Sequence, residues 1–212
     1  MTRYILSRLV IPPSARMDFG RHNSNMLAIL PSHDHIQTNL PALSSAVALL
    51  VGSMDPIRYY ACGYTCEQER LFELQLPWRL GLPGILADLR AALPTPSVES
   101  ISLCHLTDTP AGVTAVADLL ARHPLVTQLE YKGCSGSMIQ ILLDTSVCPR
   151  LESLRISKSP LNPDALVDIA RLRTRPKGLA THGLTRLMMK ECPQLEPVLS
   201  ALRGHGVDVE YE

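Results

Sequence analysis

Two short stretches of the chain carry side chains of the kind that hold zinc. His33 and His35 flank Asp34, and Cys62 and Cys66 form a C-x3-C pair. Imidazole and thiolate groups are usual Zn²⁺ ligands, and four of them could complete a tetrahedral site if the fold joined the pairs. Neither pair has the repeated C-x2-C spacing of a strong zinc motif, so packed thiols and loop histidines are the favoured interpretation. We therefore predict no metal site and no cofactor.

Cys104, His105 and Asp108 offer the groups of a nucleophilic triad, in which a carboxylate orients an imidazole that activates a thiol. Side chains adjacent on a strand leave opposite faces, so such close neighbours rarely adopt that geometry. The chain also lacks G-x-S-x-G, H-E-x-x-H, G-x-G-x-x-G and the phosphate-binding loop motif. The sequence therefore predicts no catalytic residues.

A basic insert, "RLRTRPKGLATHG", carries Arg171, Arg173, Arg175 and Lys177. Its cations could contact an acidic partner or a phosphate group. A solvated loop is the favoured alternative, because inserts between repeats fall on one face and stay polar. The role of residues 171–177 stays open at this point.

The composition of the 212 residues narrows the class of protein. Hydrophobic residues make up 46% of the chain, which is enough to bury a core. The 20 basic and 20 acidic residues cancel, so no long-range field draws the chain to nucleic acid or to an acidic membrane. No apolar run reaches the roughly 18 residues of a membrane span, and Pro12-Pro13 interrupts the apolar start. We expect a cytoplasmic or nuclear protein with reduced cysteines.

One apolar spacing recurs five times, at offsets 0, 3 and 5 from a first apolar residue. The first residues are 27, 28, 25 and 33 positions apart, which is the range of leucine-rich repeats. Offsets 3 and 5 leave the same face of a strand, and offset 0 turns inward just before it. The sets are Leu71, Leu74, Leu76; Val98, Ile101, Leu103; Val126, Leu129, Tyr131; Leu151, Leu154, Ile156; and Leu184, Leu187, Met189.

Helix signals follow the repeated strands. Thr109 and Asn162 are candidate N-caps, each followed by a proline that suits the first turn of a helix. A last helix should end at Gly204 or Gly206, before a closing strand in "VDVEY". The pattern predicts an α/β leucine-rich-repeat solenoid, with a curved parallel sheet on the concave face and helices on the convex face. An ordinary α/β domain is the alternative.

Two regions differ in how well they follow the pattern. Residues 71–212 contain about five repeats and the closing strand. Residues 1–70 contain strand-like segments and a helix-like "NSNMLAILPSH", and Leu43 and Val47 could be the inward residues of a degenerate unit. Terminal repeats are often atypical. We therefore interpret residues 1–70 as degenerate repeats or a cap that continues the solenoid.

Residues at offsets 2, 4 and 6 should point away from the core and lie along the concave sheet. They are acidic or neutral in the early repeats and basic in the late ones, which predicts a protein partner of opposite polarity. The main anchors are predicted to be Glu130, Lys132, Arg155, Arg186 and Lys190. The full predicted partner-binding set is Glu73, Gln75, Ser100, Ser102, Gln128, Glu130, Lys132, Ser153, Arg155, Ser157, Arg186, Met188 and Lys190.

Four segments, "RLVIPPSARMDF", "LQLPWR", "RLESLRISKSPLNPDALVDIARLRTRP" and "LRGHGVDVEYE", carry a family resemblance. The chain resembles the C-terminal leucine-rich region of fungal F-box proteins, particularly those of mushroom-forming fungi. In that family an N-terminal F-box docks onto an SCF-type ubiquitin ligase, and the repeats hold the target. The F-box itself is absent here, so ligase subunits are implied as partners only if an F-box lies upstream.

The sequence thus favours a non-catalytic protein–protein interaction module. In its narrower form, this module is the target-binding part of an F-box-type ubiquitin-ligase adaptor. The alternatives are a structural or truncated repeat fragment without a specific partner, and a small enzyme. The identity of the partner and the oligomeric state do not follow from the sequence.

Overall fold

The computed structural model describes residues 2–12, 15–19, 30, 33–55, 58–77, 81–93, 97–106, 108–174 and 183–212. The chain divides into two compact units, Met1–Val98 and Glu99–Glu212. Both combine helices with a sheet, so the predicted α/β class is confirmed. Among the described residues, none of the helices has the length and apolar character that crossing a membrane demands.

The N-terminal unit contains a mixed sheet. Its strands lie in the order β1–β4–β3–β2, with β1 parallel to β4 and with antiparallel pairing between β4 and β3 and between β3 and β2. Its elements are α1 (Thr2–Leu6), β1 (Met17–Phe19), α2 (His33–Asn39), α3 (Pro41–Ser44), β2 (Ala48–Asp55), β3 (Arg58–Tyr64), β4 (Arg70–Pro77) and α4 (Gly81–Ala92).

The prediction of a purely parallel sheet is wrong for this unit, and loop length gives the reason. Residues 56–57 alone separate β2 from β3, and residues 65–69 alone separate β3 from β4. Parallel neighbours need a crossover of a dozen or more residues, whereas antiparallel neighbours need only a tight turn. Strands joined by such short segments can therefore pair only as an antiparallel meander.

The predicted first repeat lies in this meander. Leu74 is buried, and its register partners are Phe19 on β1 and Ala61 on β3. Leu43 is buried in helix α3 instead of a strand, and Val47 is half-buried just before β2. The helix predicted in residues 23–33 falls largely outside the described residues.

The C-terminal unit repeats one strand-and-helix arrangement, and we name each copy of it a coil. Its strands lie in the order β5–β6–β7–β8–β9, and every neighbouring pair is parallel. Short 3₁₀ turns, Ile141–Leu143 and Pro193–Val198, complete two of the connections. The main elements are β5 (Ser100–Cys104), α5 (Pro110–Ala121), β6 (Gln128–Lys132), α6 (Gly136–Gln140), β7 (Ser153–Ser157), α7 (Pro163–Arg173), β8 (Arg186–Lys190), α8 (Leu199–Gly204) and β9 (Asp208–Tyr211).

The apolar ladder predicted for these strands is confirmed. Ile101, Leu129, Leu154 and Leu187 face one another in register, and so do the residues at offset 5. All are buried, as are the offset-0 residues that precede each strand. A strand with three inward residues cannot offset its ordering entropy alone, so each coil depends on its neighbour for a shared core.

Each strand from β5 to β8 ends in the same left-handed turn. The residue after the strand has a positive φ in every case, at His105 (53°), Gly133 (61°), Lys158 (52°) and Glu191 (53°). Its N–H donates to the carbonyl of the residue that ends or follows the neighbouring strand, at 2.7 to 3.1 Å. The chain therefore leaves the sheet in one repeated way, which aligns the next position of every coil.

That next position is buried in all four coils, at Leu106, Cys134, Ser159 and Cys192. The thiol of Cys134 donates to the carbonyl of Leu103 at 3.2 Å, and the thiol of Cys192 donates to that of Lys190 at 3.3 Å. The Cys134 thiol thus gives the Leu103 carbonyl a donor, and the Cys192 thiol adds a second donor to the Lys190 carbonyl, which also accepts from the Lys158 N–H. Cys134 and Cys192 are therefore buried packing residues whose thiols also donate a hydrogen bond.

The predicted caps of two helices are confirmed. Thr109 accepts a hydrogen bond from the Gly112 N–H at 3.0 Å, and Asn162 accepts one from the Asp164 N–H at 3.0 Å. Pro110 and Pro163 open α5 and α7. Each cap satisfies one of the N–H groups that the first helical turn leaves without a partner.

Candidate partner-binding face

The outward side chains of the C-terminal unit form three rows across its strands. We name this set the polar face. Strand register places in one row those residues that the sequence separates by 22 to 33 positions. The rows are Ser100, Gln128, Ser153, Arg186, Asp208; then Ser102, Glu130, Arg155, Met188, Glu210; and then Cys104, Lys132, Ser157, Lys190.

A hydrogen bond holds Glu130 toward β5. The Ser102 hydroxyl donates to Glu130 Oε2 at 2.9 Å, whereas Glu130 Oε1 lies 4.0 Å from Arg155 Nη1. That distance is longer than the 2.7–2.9 Å of a charge-assisted hydrogen bond. Arg155 also points Nη2 at the Met188 sulfur, 3.5 Å away. Most of the guanidinium donors of Arg155 are therefore not used by these contacts.

Acidic side chains of β9 and the following residue neutralise the basic side chains of β8. Arg186 Nη2 lies 2.5 Å from Glu210 Oε1, and Lys190 Nζ lies 2.8 Å from Glu212 Oε2. The hydrogen bond from Lys190 lowers the pKa of the Glu212 carboxyl, with a smaller contribution from Arg155. Conversely, the hydrogen bond to Glu212 raises the pKa of Lys190. The excess of positive charge predicted for the late repeats is therefore balanced within the face.

The predicted partner-binding set omits Asp208 and Glu210, which belong to the face, and Glu212, which lies beside it. The sequence predicts a closing strand in this segment, and the predicted set does not extend to its outward positions. The signal was present in the alternation of "VDVEYE", where Val207 and Val209 are buried and Asp208 and Glu210 are exposed. Period-2 alternation is enough to assign those acids to the outward side.

A shallow groove of about 390 Å³ crosses the polar face. Strands β6 to β9 line it, together with Lys158 and Glu191, which form their own ion pair at 3.2 Å. Five cationic and four anionic side chains surround the groove, and Met188 supplies apolar surface. The structure thus brings together Glu130, Lys132 and Arg155 with Arg186 and Lys190, the five predicted anchors.

Lys132 and Ser157 mark a distinct place in this groove. Within the described part of the chain, the Lys132 ammonium makes no hydrogen bond or ion pair. Ser157 stands in register between Lys132 and Lys190 and is only 6% exposed. A small side chain between two long ones leaves a depression, which we name the Ser157 notch.

Glu73 and Gln75, the two remaining predicted residues, lie on β4 in the N-terminal unit. Their register neighbours are on β1 and β3, so they do not belong to the three rows. Glu73 pairs with Arg70 on its own strand. Burial, and then the nearby Glu73 charge, raise the pKa of the Cys62 thiol to about 11.

The residues considered for zinc binding and for catalysis occupy separate places. Cys62 is buried within β3, whereas Cys66 is exposed in the following turn. Nowhere in the described ranges do three His, Cys, Asp or Glu side chains cluster in a way that could hold a metal ion. Asp108 accepts a hydrogen bond from the Ser137 hydroxyl at 2.6 Å, and His105 is exposed. Cys104 is buried at the end of β5.

Arg173 is a structural residue, although the sequence grouped it with a solvated basic insert. It is 7% exposed, and its guanidinium donates to the carbonyls of Leu142, Asp144, Val147 and Cys148 at 2.7 to 3.1 Å. Burial lowers the pKa of Arg173. These carbonyls belong to the segment after α6, so Arg173 joins α7 to the preceding coil. Residues 175–177 lie outside the described ranges.

Comparison with known proteins supplies no family for this chain. No protein-family model, no curated protein and no solved structure matches it. The geometry of the polar face is therefore the basis on which a function is proposed.

Proposed function

We propose that the C-terminal unit is a leucine-rich-repeat solenoid that acts as a non-catalytic protein–protein interaction module. The observation that carries the proposal is the contrast between the two sides of the parallel sheet. Inward positions are buried and, apart from the hydroxyl of Tyr131, apolar, whereas outward positions in the same strands vary in charge and size. Such a scaffold holds its shape while its outward residues differ, which is the arrangement repeat proteins use for recognition.

The chemistry of the groove supports a protein partner over a small molecule. The groove is shallow and lined by charged side chains, whereas small-molecule pockets are mostly apolar and enclosing. Its charges nearly balance, so it gives little general attraction for a polyanion such as nucleic acid. Mixed charge beside the half-buried Met188 fits a peptide or protein surface of complementary pattern.

A narrower form of the proposal follows from the family resemblance. In this form the repeats are the target-binding part of an F-box-type ubiquitin-ligase adaptor in the cytoplasm or nucleus. Ligase subunits are partners only if an F-box precedes the repeats. The second candidate function is a structural or truncated repeat that binds no specific partner. The ion pairs of Arg186 with Glu210 and of Lys190 with Glu212 favour it, because they satisfy two predicted anchors within the chain.

Affinity capture from the source organism tests the proposal. We expect the unchanged protein to retain a recurrent partner, and the double variant Arg155→Glu/Arg186→Glu to lose it while the circular dichroism stays the same. Arg150→Glu/Arg203→Glu makes the same charge change at exposed sites outside the groove and should retain the partner. Capture that survives in the groove variant excludes this face, and an empty capture with the unchanged protein supports the second candidate.

A further inference from the structure

The Ser157 notch brings two cations close enough to share one anion. Arg155 faces Glu130 in register, and Lys132 is two residues further along the same strand as Glu130. By strand geometry, the Cβ atoms of Lys132 and Arg155 are therefore about 8 Å apart on one face. Both side chains are long enough to reach an oxygen-bearing group placed above Ser157.

The cationic side chains at the notch have N–H donors that these contacts do not use, whereas the other cations of the groove are paired with carboxylates. The other three cations of the groove, Arg186, Lys190 and Lys158, each have a carboxylate of this chain within 3.2 Å. Arg155 has five N–H donors, of which one points to Met188. Glu130 does not neutralise it at close range, because its Oε1 lies 4.0 Å from Arg155 Nη1 while Ser102 holds the other oxygen, Oε2, toward β5. Among the residues that the structure describes, the positive charge of the groove that lacks a close carboxylate is concentrated at Lys132 and Arg155.

The carboxylate of Glu212 lies beside the notch and indicates the kind of ligand that the cations there stabilise. Glu212 bonds to Lys190 beside the notch, and Arg155 contributes to lowering its pKa. Its side chain is 70% exposed, so the pair is of the weak surface kind and leaves the groove open to another chain. Beside the cations, Met188 offers half-buried apolar surface for a neighbouring side chain.

We propose that the partner is a protein segment that places an Asp or Glu carboxylate in the Ser157 notch, between Lys132 and Arg155, with an apolar side chain against Met188. The proposal rests on the interaction function proposed above and adds the chemistry of its ligand. Charge complementarity selects the occupant, because these two cations are the groove donors that the chain itself leaves least satisfied.

The experiment uses a library of random 12-residue peptides selected against the full chain, followed by fluorescence anisotropy with synthetic peptides. We expect the selected peptides to share an Asp or Glu. Its replacement by Asn or Gln should weaken binding by about tenfold or more, which is the loss of one charge-assisted hydrogen bond. In Lys132→Gln and Arg155→Gln the acidic and amide peptides should bind nearly alike, whereas Arg150→Gln should keep the full difference.

The outcomes separate this proposal from the general one. Peptides that depend on Lys132 and Arg155 but tolerate the amide would overturn the carboxylate assignment and leave the interaction face in place. If the peptides bind Lys132→Gln, Arg155→Gln and the control Arg150→Gln equally well, the interaction face is excluded as well. A selection that enriches no binder also contradicts the carboxylate assignment, because such a library contains acidic peptides in abundance.

Discussion

Arg186 on β8 and Glu210 on β9 form an ion pair, with Arg186 Nη2 and Glu210 Oε1 2.5 Å apart. This contact joins a predicted partner anchor to the closing strand of the same unit. It reduces the capacity of Arg186 to bind a partner. Lys132 and Arg155 are therefore the cations of the face that are most available to a partner. The closing strand thus contributes charge to the face and also completes the sheet.

The first prediction concerns this ion pair. Arg186→Glu alone should lower the free energy of unfolding by less than about 1 kcal/mol, because both side chains are roughly half-exposed. The swap Arg186→Glu/Glu210→Arg should recover the loss. Urea denaturation of the two single variants and the double variant measures the coupling. Strictly additive losses would show that the two side chains do not interact.

The second prediction concerns the buried Arg173. Arg173→Met removes the donor for four carbonyls. Those of Asp144 and Cys148 keep a backbone N–H donor, from Val147 and Leu151, whereas those of Leu142 and Val147 have no other donor among the described residues. We expect a loss of at least about 2 kcal/mol in the free energy of unfolding, because each buried carbonyl left without a donor costs about 1–3 kcal/mol.

Arg171→Met is the matched control for Arg173. Arg171 lies two residues earlier on α7 and is exposed, with an i,i+3 pair to Asp168. Its replacement should change the free energy of unfolding by no more than about 0.5 kcal/mol. Equal effects at the two positions would contradict the assignment of Arg173 as the residue that joins two coils.

The third prediction tests which side of β7 is the core. Leu154 is fully buried and Ser153 is half-buried on the outward side. Leu154→Ala should cost about 2–5 kcal/mol, because it removes buried methyl groups and leaves a cavity. Ser153→Ala should cost less than about 0.5 kcal/mol. A larger loss at Ser153 than at Leu154 would mean that the strand register is shifted by one residue.

The fourth prediction concerns the thiols. Of the six cysteines, Cys66 alone is exposed. Burial raises the pKa of Cys62 and of Cys148 to about 11, so both remain protonated near pH 8. A thiol reagent at pH 8 should modify one cysteine quickly in the native protein and all six after denaturation. Cys66→Ser should remove the fast phase, and a second fast thiol would contradict the burial assignment.

The same two thiols predict a decline in stability at high pH. Each has a pKa that is raised in the folded state from an ordinary value of 9.0 to about 11. A raised folded-state pKa means that the stabilisation is complete below pH 9 and is lost as the pH rises through about 11. The free energy of unfolding should therefore fall between pH 9 and 11. Cys148→Ala should make that fall shallower, and an unchanged profile would contradict the assigned shift.

Local periodicity was sufficient to predict the core of the C-terminal unit. The spacing of Ile101 and Leu103, repeated in the next three strands, determines which side is buried because strand alternation is a local property. The caps at Thr109 and Asn162 are local in the same sense. Both kinds of feature were predicted with their correct residues.

The features that were missed depend on contacts between distant segments. Arg173 is buried because the carbonyls of residues 142–148 surround it, and nothing next to Arg173 in the sequence indicates them. The neutralisation of Arg186 by Glu210 likewise requires strand register. The antiparallel meander is different, because the short segments 56–57 and 65–69 already indicated it.

Site-specific photo-crosslinking tests most directly the claim that the groove binds a protein partner. In one variant a photoreactive residue replaces Met188 in the groove. In the control variant it replaces Leu172, which is exposed on α7. The probes are exposed to extract from the source organism. The account predicts one recurrent cross-linked protein at position 188, lost with Arg155→Glu, and no such product at position 172. The same product at position 172, or a product at 188 that Arg155→Glu leaves unchanged, would contradict it.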